Sequence, residues 1–167
     1  MFAKKTYGVL AFTLLAGAAF AQPASVKPQM LPQPDKNVTY ASAADVAALI
    51  ARAQKEKKGN SPLVVSKILQ YGKSGVYLEY RENVKPLADV GLHPTDDEIV
   101  YIVQGSGTLV TGGTMAADHM SIAGGESRKF AKGDFFFIPA GTPHWISKVD
   151  STIAQVSIHI PKPAAAN

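Results

Sequence analysis

His93, Glu98 and His144 are the residues of this chain whose types and placement best suit chemistry. His93 opens the segment His93-Pro94-Thr95-Asp96-Asp97-Glu98, which leads into the apolar run 99–103. His144 closes Gly133-Asp134-Phe135-Phe136-Phe137-Ile138-Pro139-Ala140-Gly141-Thr142-Pro143-His144, where a β-rich run meets a Pro/Gly turn. Neutral imidazole is a good ligand for zinc, iron, manganese or nickel, and a carboxylate adds a hard, anionic donor. Two histidines and a glutamate from two strand ends make a facial site that leaves positions open for water and substrate. A catalytic metal requires such openings, and a closed structural site lacks them. Asp96 and Asp97 are alternative carboxylates to Glu98. The plain alternatives are a loop histidine at 93, a surface-turn histidine at 144 and an exposed strand start at 98.

Short strands must position these groups. Residues 63–69, 75–81, 99–103, 108–111, 135–138, 145–147 and 153–160 are rich in β-branched and aromatic side chains, with Gly and Pro between them. That pattern indicates an all-β sandwich or barrel. Alternate side chains of such a strand face the interior, so an inward Glu98 implies inward Val100 and Ile102 and outward Tyr101 and Val103. Gly105 and Gly107 suit a tight turn that reverses the chain into Thr108. Pro139 and Gly141 suit a turn that returns His144 inward, on the side of Ile146. Residues 114–127 read as a long polar loop, and Phe135, Phe136 and Phe137 as packing.

One helix is expected over residues 42–58. Ser42 is an N-cap with Asp45 three residues on, Val46, Leu49, Ile50 and Ala53 recur at helical spacing, and Gly59 follows. Its narrow apolar stripe fits packing on the outside of the domain. Residues 22–40 hold Pro23, Pro28, Pro32 and Pro34 and read as a mobile spacer whose loss should not affect the core. Residues 1–21 carry the pattern of a secretory signal peptide. Lys4 and Lys5 precede an apolar stretch, and Ala19-Phe20-Ala21 is a small-x-small cleavage site before Gln22. That apolar stretch is short for a membrane span. The expected address is therefore periplasmic or secreted, with no stable membrane span after cleavage.

Composition narrows the function classes. The chain holds 167 residues and carries a formal net charge of +4, a length for a single domain, here residues 41–167. Removing Lys4 and Lys5 leaves 15 basic against 13 acidic residues, a net +2. The remaining basic residues are scattered, apart from Lys55, Lys57 and Lys58, which gives no support to nucleic-acid binding. The absence of cysteine excludes disulfides and thiolate ligands.

With these motifs the chain resembles the cupin superfamily, and within it the small exported single-domain bacterial cupins. Gly133, Pro139, Gly141 and His144 satisfy the second cupin motif, with Lys148 where an asparagine is usual. His93, Glu98 and Gly105 fit most of the first motif, but Gly91 stands where that motif has its first histidine. The resemblance spans roughly residues 75–160. It implies a double-stranded β-helix, or jelly-roll barrel, with the helix at its N-terminal side. It also implies one divalent metal ion (Mn, Fe, Zn or Ni) held by His93, Glu98 and His144. Glu98 would compensate charge and act as the catalytic base.

The leading functional reading is a metal-dependent enzyme acting on a small organic molecule, of oxygenase, lyase or isomerase type. The alternative is a non-catalytic module that binds or senses a small ligand. A homodimer is expected, since pairing relieves an exposed sheet edge. His159 shares a row with Gln155 and Ser157, and becomes a fourth ligand or an acid–base group if that row faces the cavity. His119 is expected exposed in the loop, with a lid residue as its alternative. Tyr77, Glu79 and Arg81 read as a solvated outer row, the alternative being an Arg81 that holds a substrate carboxylate.

Overall fold

The structure, a computed structural model, describes residues 27–31, 40–85 and 87–162. The expected signal peptide and most of the expected spacer lie outside the described residues. In chain order the elements are β1 (Gln29–Met30), α1 (Ala43–Glu56), β2 (Leu63–Tyr71), β3 (Ser74–Glu82), β4 (Asp96–Thr111), β5 (Thr114–Met115), β6 (Ile122–Ala123), β7 (Glu126–Ala131), β8 (Phe135–Ile138) and β9 (His144–Pro161). The main sheet has seven strands in the order β1-β2-β3-β9-β4-β7, with β8 also on β4, and β5 and β6 form a separate pair. Among the described residues only β1 runs parallel to its neighbour. The all-β class with one helix agrees with the sequence reading.

Two long strands replace four expected short ones. β4 and β9 pair along most of their length, with register breaks at Ile102/Gln104, Gly105/Gly107 and Thr108/Leu109. The chain bends at these bulges and does not turn back, contrary to the reversal expected at Gly105. Gly105 is required for a different reason. Its φ is +88°, and a Cβ there would lie 1.9 Å from the Thr152 carbonyl oxygen. No other residue type fits that approach of β4 to β9.

The bent strands enclose an apolar core of Leu87, Val100, Ile102, Leu109, Phe130, Ile138, Ile146, Val149 and Ile153. Full burial of each large member is worth about 1.5–3 kcal/mol. Val100 and Ile102 face inward, while Tyr101 and Val103 are only partly buried, as the alternation requires.

α1 covers part of the outer face of the sheet. Ser42 accepts from the Asp45 N–H, and the Asp45 side chain accepts from the Ser42 N–H, closing a capping box. Ala53 is wholly buried and packs with Val64, Leu78, Tyr80 and Ala154, with Val46, Leu49 and Ile50 around it. The Pro-rich stretch before the helix is not all spacer. Gln29 and Met30 pair with Val64 and Val65, the Leu31 N–H donates to the Val65 carbonyl at 3.0 Å, and Leu31 is buried in the same cluster. One buried leucine and an open sheet edge suffice to hold this segment, so its loss should weaken the packing under the helix.

Two other expectations change. Residues 114–127 hold the β5–β6 hairpin and the start of β7. β7 is an edge strand whose side chains are exposed apart from Phe130, so it shows no alternation in the sequence. Of the three phenylalanines, Phe136 packs on the core, but Phe135 and Phe137 are 67% and 63% exposed on the outer face. Among the described residues no helix is long and apolar enough to cross a membrane.

Candidate metal centre and cavity

Backbone bonds fasten the two chemistry-bearing segments to each other. The Gly91 N–H donates to the His144 carbonyl at 2.7 Å and the His144 N–H donates back to Gly91 at 2.9 Å. The Gly141 N–H donates to the His93 carbonyl at 2.8 Å, and the Ala140 N–H to Asp97 Oδ1 at 2.8 Å. The Pro/Gly turn is thus held against the loop that carries His93. Asp97, one of the alternative carboxylates, is committed to this turn and lies 3.5 Å from Lys162 Nζ. Asp96 lines the cavity rim, where its Oδ1 accepts from the Thr95 hydroxyl at 3.3 Å.

The structure brings His93, Glu98 and His144 together. One ligand atom from each lies within 4.8 Å of the others. His144 Nε2 is 3.1 Å and His93 Nε2 3.8 Å from Glu98 Oε2. Glu98 is 3% exposed, at the polar end of the inward row that continues through Val100 and Ile102. Burial alone would raise its carboxyl. The 3.1 Å approach and charge of His144, the Ser157 hydroxyl and the charge of His159 hold it down, to about 2. Burial likewise disfavours charge on His144, but the Glu98 carboxylate and the Thr142 carbonyl outweigh it and raise the imidazole. At His93 burial wins and lowers the imidazole, against the opposing pull of Glu98.

The tautomer of His144 decides what this cluster can hold. His144 Nδ1 lies 3.0 Å from the Thr142 carbonyl oxygen. A carbonyl only accepts, so Nδ1 carries the proton, and in the neutral ring Nε2 presents a lone pair. That lone pair faces Glu98 Oε2, a buried oxygen with no well-formed hydrogen bond. Two electron-rich atoms at this separation need a proton or a cation between them. Donors each about 2.1 Å from one ion lie roughly 3.0–3.4 Å apart when adjacent, so the 3.1 Å between His144 and Glu98 fits a shared metal, while His93, at 3.8 Å, would have to draw in by about half an ångström. A backbone carbonyl that fixes the far nitrogen is also the usual partner of a ligating histidine. The residues present therefore fit a divalent ion.

Gly91 gives the cluster its tightness. A Cβ at this position would lie 2.3 Å from His144 Nε2, so any side chain here would displace the imidazole.

The cluster opens on a cavity of about 430 Å³. Its walls are largely apolar, with Val65, Ile102, Leu109, Phe136, Ile138 and Trp145 among them. Trp145 is anchored by its indole N–H, which donates to the Ala88 carbonyl at 3.0 Å. A polar floor lies opposite. Tyr77, Glu79 and Arg81 face inward, contrary to the outer placement read from the sequence. Arg81 Nη2 is 2.7 Å from Glu79 Oε2, which also accepts from Gln155 Nε2 at 3.2 Å. β3 and β9 pair residue for residue, Glu79 opposite Gln155 and Tyr77 opposite Ser157, so the two polar rows share one face. Each strand alone resembles a solvated edge. The signal lay in two polar rows of matching phase on strands that also carry apolar rows. His159, in the same row as Gln155, lines the cavity, and His119 is exposed in the loop with a φ of +61°.

A family model described as "Cupin domain" matches residues 81–160. This segment is a cupin domain. This cupin is similar in fold to FeII HppE, at 11% identity over 62% of this chain and 54% of that one, with a TM-score of 0.50. It is also similar to KdgF from a Halomonas species, at 16% identity over 64% of this chain and 86% of that one, with a TM-score of 0.47. The cupin domain of Schizosaccharomyces pombe Cnp3 shows 12% identity over 65% and 72% of the two chains, with a TM-score of 0.46. At these identities the likeness concerns the fold. Among curated proteins none matches the chain.

Proposed function

We propose that this cupin holds one divalent metal ion through His93, Glu98 and His144 and acts on a small oxygen-bearing organic molecule in the adjoining cavity. The observation that carries the proposal is the 3.1 Å approach of His144 Nε2, whose other nitrogen is fixed by the Thr142 carbonyl, to a buried Glu98 oxygen with no well-formed hydrogen bond. When bound, a divalent ion supplies Lewis acidity toward a carbonyl or hydroxyl oxygen or, as iron, reactivity with dioxygen. The chain's own residues supply the rest. The Thr142 carbonyl fixes the His144 tautomer, and the apolar walls limit the water that reaches the site. Glu98 neutralises part of the charge. A carboxyl held at about 2 is a weak proton acceptor near neutral pH, so charge compensation is the larger part of its role. On the floor, Arg81 offers its Nε–H as a donor and Gln155 its Oε1 as an acceptor for a polar group of the substrate, since the Gln155 amide N–H groups are given to Glu79 and Ser157. Manganese, iron, zinc and nickel all suit this mixed donor set.

Elemental analysis of the untagged protein tests this reading. Near-stoichiometric metal in the wild type, lost in His144→Ala, is the expected result. Metal-free protein that still binds small ligands would favour the non-catalytic module.

The proposal includes export. With residues 1–21 removed as a signal peptide, the protein would act in the periplasm or outside the cell. N-terminal sequencing of the chain recovered from the periplasm of a Gram-negative host should then begin at Gln22. It also includes a homodimer, for which the exposed Phe135 and Phe137 offer an apolar surface. Sedimentation analysis should show twice the monomer mass.

A further inference from the structure

The polar floor of the cavity is hydrogen-bonded in a fixed direction. Glu79 Oε2 accepts from Arg81 Nη2 at 2.7 Å and from Gln155 Nε2 at 3.2 Å, and that amide nitrogen also donates to Ser157 Oγ at 3.4 Å. A carboxylate only accepts, so turning the Gln155 amide over would set its oxygen against Glu79. The amide orientation is therefore fixed, and Gln155 Oε1 has no partner among the described residues. Arg81 Nε has none either. Gln155 is 3% exposed, the Arg81 side chain 14%, and both residues line the cavity. A buried donor and a buried acceptor left unpaired each cost stability until a ligand or a water meets them.

We propose that the substrate carries, on an apolar body, a neutral group that both accepts and donates, a primary amide or a hydroxyl, and that this group is met by Arg81 Nε–H and Gln155 Oε1. The inference rests on the reading above that the cavity takes a small organic molecule, and it adds the end group which that molecule presents to the floor. Both side chains meet at one Glu79 oxygen, so their spare atoms serve a single ligand group. Charge selects against a carboxylate there. The Arg81 guanidinium is already matched by Glu79, and Glu98 places a second carboxylate within 4.8 Å of Glu79. One oxygen of a substrate carboxylate could accept from Arg81, but the other would face Gln155 Oε1 with no proton between them. A primary amide or a hydroxyl answers both atoms at once. Gln155 lies four residues before His159, the residue opposite Glu98 on the ladder, so this contact is separate from any bond to the ion.

Proton–nitrogen NMR of the untagged, arginine-labelled protein tests this with three probes that share one ring: benzamide, acetophenone and benzoate. Each is titrated into the protein with zinc and after chelation, and the Arg81 Nε–H resonance is followed. Arg52 on α1 and Arg128 on β7 serve as internal controls. Benzamide should move the Arg81 resonance and bind at least about 10-fold more tightly than acetophenone or benzoate, neither of which can donate to Gln155. The order is read on the chelated protein, where no ion can hold benzoate. Gln155→Leu should erase the preference for benzamide over acetophenone, and a preference that survives overturns the role of Gln155. Benzoate or acetophenone binding as tightly as benzamide overturns the neutral donor–acceptor group. An Arg81 resonance that no probe moves overturns it too, and means that water alone meets the two atoms. Protein that takes up no zinc yet keeps the order overturns the metal reading and leaves this one standing. The order is a property of the wild type, so the test does not depend on the variant folding.

Discussion

From the last half of β9, Gln155, Ser157 and His159 point inward, and Val156, Ile158 and Ile160 point outward. Gln155 and Ser157 are buried, whereas Ile160 is 41% exposed. The neighbouring half of β4 does likewise, with Glu98 inward and Ile99 outward. Where β4 and β9 pair at their other ends, the arrangement is the ordinary one, with Leu109, Ile146 and Val149 inside. A fold driven by burial of apolar surface gains nothing from placing a carboxylate and an amide inside. The contrast between the two ends of one ladder therefore separates the part of the barrel that stabilises the fold from the part proposed to hold a ligand.

The largest effect should come from the apolar end. Leu109→Ala removes a buried side chain there and should cost about 2–5 kcal/mol in denaturant unfolding. Ser157→Ala at the polar end should cost under about 1 kcal/mol without metal. Equal costs would erase the distinction drawn here.

Next in size is a pH effect at the polar end. His144 is raised above its ordinary 6.5, so below that raised value a proton occupies Nε2 and competes with the ion. Metal affinity should rise about tenfold per pH unit until His144 deprotonates, then level off. Without metal the sign reverses. The His144 contribution to stability is full below pH 6.5 and is lost as pH rises through the raised value. The Glu98 contribution is present above its ordinary 4.5 and is lost as pH falls toward about 2. Melting of the metal-free protein across pH 3–9 should therefore be highest between those limits, and a flat profile would contradict the Glu98–His144 pairing.

Smaller effects belong to the outer face, one part of which α1 covers. Ser42→Ala opens the capping box and should cost about 1 kcal/mol, read by thermal melting. Phe137→Ser, beyond the helix, should change monomer stability by under about 0.5 kcal/mol while shifting sedimentation toward the monomer. A monomeric wild type would remove the need for that second expectation.

The inner row Glu98, Val100 and Ile102 was legible because a strand's period of two is rigid once one member is placed. The capping box was legible because it is local. The inward row of Tyr77, Glu79 and Arg81 was not, because polar alternation reads as solvated unless the facing strand is known to be polar too. Phe135 and Phe137 misled for the converse reason, since hydrophobicity does not say which face is covered. Gly105 was read as a turn because a bulge glycine and a turn glycine have the same backbone requirement. The sequence set His93, Glu98 and His144 apart from His119, and the structure places the three side chains together and leaves His119 exposed, but the approach of His159 depended on the β4–β9 register.

Anomalous diffraction at the metal absorption edge, from crystals of the untagged protein, tests the central claim most directly. The account predicts one strong peak within bonding distance of both His144 Nε2 and Glu98 Oε2. A fully loaded crystal with its peak elsewhere, or an ordered Glu98–His144 pair with no ion after soaking, would contradict it.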